Sequence, residues 1–109
     1  MTVIRCYALE AADGQEAQLL RCLEMLGQKL VSVPGLVNAR ILREPERPGR
    51  CLFLETWQSP DAYQAGAALI PRELFAGLMA VLAGKPQAWT LEEAALFQPP
   101  LSATASCTP

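Results

Sequence analysis

The chain contains no histidine. That absence excludes a Ser-His-Asp triad, a Cys-His dyad, His-ligated zinc, a two-His-one-carboxylate iron site and a haem held by a proximal histidine. It also removes the usual general base near neutral pH. Any chemistry must draw on carboxylates, Tyr, Arg, Cys, backbone dipoles or the substrate itself. None of the four cysteines, Cys6, Cys22, Cys51 and Cys107, forms a CxxC pair, so a Cys-only zinc or iron–sulfur centre is not expected. They read as small hydrophobes in a reducing compartment. There is no basic stripe either. Nine Lys and Arg are scattered through a chain of net charge −2, which speaks against nucleic acid as a partner. The longest uncharged apolar run, Leu74 to Gly84, is about half the ~20 residues a membrane span needs. Arg5 and Glu10 interrupt any apolar stretch that would make a signal peptide. The expectation is a cytoplasmic protein with no membrane partner.

The composition is that of one globular domain. It has 109 residues, 51% of them hydrophobic and 18% charged, with no internal repeat. Residues 2–10 are rich in β-branched and aromatic residues and read as a strand. Val3, Tyr7 and Leu9 fall on one face, and Ile4, Cys6 and Ala8 on the other. Asp13 is the expected N-cap of a helix, with Glu16 as the acid of a capping box. Leu19, Leu23, Leu26 and Leu30 repeat at helical spacing to about Val31, where Val33-Pro34-Gly35 stops the helix. Residues 36–43 and 51–58 read as two antiparallel strands joined by turn residues Pro45 to Gly49. Ser59-Pro60-Asp61 opens a short helix over 60–68. Pro71 restarts a second helix over 72–83, and residues 87–93 make a fourth strand. The domain thus spans 1–96, and 97–109, rich in Pro, Ser and Thr, reads as a flexible or partner-wrapping C-terminal tail.

The element order β-α-β-β-α-β predicts an α+β, ferredoxin-like sandwich, an antiparallel sheet with its helices on one face. The first and third strands are apolar on both faces. A bare apolar sheet face exceeds what a soluble monomer normally exposes, so a homodimer that closes the two open faces around a cavity is expected.

Val33-Pro34-Gly35-Leu36, followed by Phe53-Leu54-Glu55-Thr56-Trp57-Gln58-Ser59-Pro60-Asp61-Ala62-Tyr63, resembles the antibiotic biosynthesis monooxygenase domains of the dimeric α/β-barrel superfamily. The resemblance covers about residues 2–94. It implies a cofactor-independent monooxygenase that oxidises a small aromatic phenol, quinol or anthrone-like substrate with O2, using no metal. Trp57 and Tyr63 match the Trp and Tyr that shape the pocket in the polyketide-oxidising branch. Phe53, Gly77 and Gly66 stand where relatives carry an Asn, an Arg and a His, and Pro71-Arg72 falls near a second family His. These departures support a different function as well: a non-catalytic barrel that binds a small molecule or acts as an accessory protein.

Tyr63 and Glu55 are the expected catalytic residues. Trp57, Phe53, Arg40 and Arg72 are the expected substrate contacts. Each has a plainer alternative. Trp57 shares a strand face with Cys51, Phe53 and Glu55 and serves either as core or as the wall of a pocket for a flat ring. Tyr63 either bonds a substrate oxygen or sits half exposed. Glu55 is either a base of raised pKa in an apolar cavity or the partner of Arg40 or Arg43 across the hairpin. Arg5 and Arg40 either steady an anionic oxygen or lie at solvated edges, and Asn38 serves only if it faces the cavity.

Overall fold

The structure, a computed structural model, describes residues 1–100. Residues 101–109, most of the expected tail, lie outside the described residues; 93–100 run without regular secondary structure and are exposed. The elements are β1 (Val3–Glu10), α1 (Glu16–Leu30), β2 (Leu36–Glu44), β3 (Arg47–Trp57), α2 (Pro60–Ala67), α3 (Arg72–Ala80) and β4 (Gln87–Glu92). The four strands form one antiparallel sheet in the order β2-β3-β1-β4. This is the expected α+β, ferredoxin-like arrangement, with β1 and β3 in the centre. No helix among the described residues is long and apolar enough to cross a membrane.

The leucine stripe of α1 is the upper half of the core. Leu19, Leu23, Leu26 and Leu30 are all buried, because residues three and four apart share one helical face. Beneath them lie Leu9 of β1 and Cys51, Phe53 and Trp57 of β3; Ile70, Leu78 and Val81 close the cluster from the α2–α3 side. Register decides which strand residues join it. Opposed residues in an antiparallel pair share a face, so Ala39, Glu55, Arg5 and Thr90 form one row across the sheet, and Ile41, Phe53, Tyr7 and Ala88 the next. The other face carries Leu42, Leu52, Trp89 and Leu91, each between 38% and 49% exposed. The sheet is therefore apolar on both sides, with helices on only one.

Three local expectations need correction. Asp13 does not cap α1. It lies in a turn with Gly14, whose φ is +77°, closed by the Gln15 amide donating to the Ala12 carbonyl at 2.9 Å. Gln15 takes the cap position, with no side-chain hydrogen bond. Next, α3 ends at Ala80 and not at residue 83, because the following backbone is bonded to the end of β1. The Ala12 amide donates to Val81, and the Ala83 amide to Glu10, each at 2.8 Å. Finally, β3 begins at Arg47, which leaves only Pro45 and Glu46 in the turn; a register irregularity between Arg43 and Glu44 absorbs the difference. At α2 the expected cap is present: Ser59 Oγ accepts from the Ala62 amide at 3.1 Å, and Pro60 occupies the first turn.

Leu23 is fully buried, so Leu23→Ala should lower unfolding free energy by about 2–5 kcal/mol in urea titrations. Asp13→Ala should stay within about 0.5 kcal/mol of wild type. A loss of ~1 kcal/mol or more at Asp13 would reinstate it as the cap.

Candidate active site

Alternation along β3 places Cys51, Phe53, Glu55 and Trp57 on the helix side of the sheet, and all four are buried. An indole N–H in an apolar core needs an acceptor. Glu55 supplies it: the Trp57 Nε1–H donates to Glu55 Oε1 at 3.0 Å. The other oxygen of the carboxylate has no protein donor among the described residues. Burial raises the Glu55 pKa above its ordinary value; the Trp57 hydrogen bond and the positive charge of Arg5 pull against that rise without cancelling it. Glu55 is the only buried charged residue among those described.

The other wall comes from α2. Tyr63, one turn into that helix, meets Trp57 edge to face, with ring centroids 6.0 Å apart. The Trp57 ring is further fixed by Gly66. A Cβ added there would lie 2.6 Å from two indole carbons and 2.8 Å from a Val33 methyl. The absence of a side chain at residue 66 is thus what lets the indole lie where it does.

Arg5 is the cation of the cluster. It faces Glu55 in β3 and Thr90 in β4. Its Nη1 donates to Thr90 Oγ1 at 2.6 Å and its Nε to the Tyr7 hydroxyl at 3.3 Å. The guanidinium carbon lies 5.0 Å from the ring centroids of both Tyr7 and Tyr63, within cation–π reach. Burial alone would lower the Arg5 pKa, but the Tyr7 hydrogen bond and the surrounding Tyr7, Tyr63 and Glu55 outweigh it and raise the value. Burial, reinforced by the Glu55 charge, pushes Tyr7 up to about 12, so its hydroxyl keeps its proton at neutral pH. The surface over β4 stays open on this side, since every residue of that strand is exposed.

Of the residues expected from sequence, the fold brings together Glu55, Trp57 and Tyr63, with Phe53 buried two residues from Glu55 along β3, its ring centroid 6.5 Å from that of Tyr7. Arg40 is not among them. It is opposite Leu54, on the helix-free face, and exposed. Arg72 is exposed at the start of α3, and Asn38, opposite Thr56, also faces away. The expected ion pair of Glu55 with Arg40 or Arg43 is absent. The salt bridge found among the described residues joins Arg47 to Glu10 at 2.8 Å. Tyr7 and Thr90 carry no local sequence signal of their own. The signal for them lay in sheet order: once β1 is placed between β3 and β4, Arg5, Tyr7 and Thr90 share the Glu55 face. Two cavities are lined by none of Glu55, Trp57 and Tyr63, although the second reaches Phe53. One, of about 730 Å3, sits at the hairpin end beside Arg43, Arg50, Cys51 and Lys85. The other, of about 250 Å3, lies between α1 and β2.

An antiparallel βαββαβ sheet with a buried carboxylate, an indole and two tyrosines on its helix side defines an α+β, ferredoxin-like protein with a polar cluster under its helices. Residues 2–66 match the profile of the family described as antibiotic biosynthesis monooxygenase, and the chain belongs to that family. No curated protein matches it by sequence. Among solved structures it is similar to SnoaB, a cofactor-independent oxygenase from Streptomyces nogalater: TM-score 0.81, 16% identity, covering 90% of this chain and 98% of that one. It is also similar to NE2512, a protein of unknown function from Nitrosomonas europaea, with TM-score 0.75, 22% identity and coverage of 91% and 95%. For Rv0793 from Mycobacterium tuberculosis the values are 0.75, 14%, and 87% and 100%. At these identities the likeness is one of fold.

Two substitutions test the geometry. Gly66→Ala should cost about 1–3 kcal/mol by overpacking and should shift Trp57 fluorescence; an unchanged melting temperature would show that the indole has room to spare. Glu55→Gln keeps an acceptor for the indole but removes the buried charge. Because its folded pKa is raised, Glu55 holds its proton in the native state at pH values where the unfolded chain has lost it, so its contribution to stability falls as pH rises through that window. Glu55→Gln should therefore melt above wild type at neutral pH, and the difference should vanish in acid. A variant less stable at neutral pH would contradict this sign.

Proposed function

We propose that the protein is a homodimeric, cofactor-independent monooxygenase that oxidises a small aromatic phenol, quinol or anthrone-like substrate with O2. The observation that carries this reading is the buried Glu55 carboxylate, oriented by the Trp57 indole and converging with Tyr63 and Arg5. A desolvated carboxylate is a stronger base than an exposed one. Its unengaged oxygen would take a proton from the phenol or the activated ring carbon. The resulting anion is electron-rich enough to pass an electron to O2, and recombination forms a C–O bond to a peroxide. Loss of the O–O bond converts a ring CH2 to C=O and releases water. The substrate supplies all four electrons, one oxygen atom is retained and one leaves as water. The Tyr63 hydroxyl would hold a substrate oxygen, while Trp57 and Phe53, fully buried behind the carboxylate, would support the site from within the core.

The apolar helix-free face supports assembly as a homodimer, since Leu42, Leu52, Trp89 and Leu91 would otherwise remain exposed. Light scattering should give about twice the 11.8 kDa chain mass; a monomer at micromolar concentration would sink the closed-barrel assembly.

Oxygen-electrode assays with hydroquinones and anthrones, in chelator and without flavin, test the activity. Tyr63→Phe should lower kcat/KM about tenfold, or ~1.4 kcal/mol, with little change in melting temperature. The rate should rise with pH through a pKa above the usual carboxylate range, because the ionised Glu55 is the active form. Tight binding of these rings with no oxygen uptake would favour the second reading, a binding or accessory protein, for which the glycines at 66 and 77 speak.

A further inference from the structure

The guanidinium of Arg5 is held in place but is not used up. It has five N–H donors. Tyr7 and Thr90 engage two of them, which leaves three without a partner among the described residues. Tyr7 accepts from Arg5, so its own hydroxyl proton is also free to donate. That proton is retained at neutral pH, since burial pushes the phenol up to about 12. These donors sit in the same row and the next row of the sheet as the Glu55 carboxylate. Above them the surface over β4 is open. The groups facing Arg5 are Tyr7 from its own strand, Glu55 from β3, Thr90 from β4 and Tyr63 from α2. The site thus pairs one proton acceptor with a clamped cation and a phenolic donor.

We propose that Arg5 and Tyr7 form an oxyanion site that binds the substrate as its phenolate, which makes hydroxyarenes with an ionisable phenol the class this protein selects. The inference rests on reading the cluster as a site for a phenolic ring and adds two residues to it. The proton balance is internal. Glu55 gains the phenolic proton and becomes neutral, the phenolate gains the negative charge, and Arg5 remains its counter-ion throughout. Charge-assisted bonds from Arg and Tyr donors are stronger to an ionised oxygen than to a neutral one. Fixing Arg5 through Thr90 and two rings means that little reorganisation is needed when the charge moves.

The test uses 1,2-dihydroxyanthraquinone, whose colour changes when its phenol loses a proton, titrated with pH in the presence of the full-length protein. The wild type should bind it and shift its ionisation downward by about one pH unit or more, a preference of about tenfold for the anion. Arg5→Met should abolish the shift, and Arg5→Lys should keep part of it, since the charge survives without the fork. Tyr7→Phe, which removes one hydroxyl and retains the ring, should reduce it. Glu55→Gln should retain the shift, because it removes a competing negative charge and no donor. No binding, no shift, or an undiminished shift in Arg5→Met would overturn the proposal. The oxygenase reading fails separately, by the absence of oxygen uptake while the dye still titrates as expected.

Discussion

The bond between the Trp57 indole and the Glu55 carboxylate is the constraint on which the site depends. Each group would be costly alone in this core: an indole N–H without an acceptor, and a carboxylate without a donor. Two residues apart on one strand, they satisfy each other at 3.0 Å. The arrangement then dictates its surroundings. The indole occupies the volume in which a side chain at 66 would lie, so α2 must present a glycine there. Tyr63, on the same helix, is brought against the indole edge. The carboxylate, held away from water, becomes more basic than its exposed counterparts.

Much of this was legible in the chain because it follows from periodicity. The leucines of α1 and the Ser59-Pro60 start of α2 obey local rules that the fold did not override. Glu55 and Trp57 share a face because strands alternate. What could not be read was anything decided by pairing across the sheet. Arg40 is one residue out of parity with Glu55 and so points to the other side. Arg43 has the right parity but stands opposite Cys51, four pairs further along. Arg5 reaches Glu55 only because β1 inserts beside β3. Asp13 failed for a different reason: the residue types that cap helices also make tight turns, and only the backbone bond from Gln15 to Ala12 decides between them.

The two faces of the sheet divide the work. On the helix side, charge and aromatic rings gather toward the end of the sheet that carries Trp57. The opposite face exposes Leu42, Leu52, Trp89 and Leu91, with Arg40 and Asn38 among them. A cavity of about 730 Å3 lies at the far end, around the β2–β3 hairpin, with Arg43, Arg50 and Lys85 on its rim. Glu55, Trp57 and Tyr63 are not among the residues that line it.

Three backbone bonds join segments far apart in sequence: Ala11 to Gly49, Ala12 to Val81, and Ala83 to Glu10, each at 2.8 Å. They knot the exit of β1, the hairpin arm of β3 and the exit of α3 at a single point. The first β-α-β half of the chain therefore cannot come apart without freeing the last turn of the second half, and neither half has a boundary along which it could open alone. The molecule is built to lose its structure as one cooperative unit. In hydrogen exchange, the amides of Ala11, Ala12 and Ala83, although they lie outside every helix and strand, are expected to be protected by these bonds.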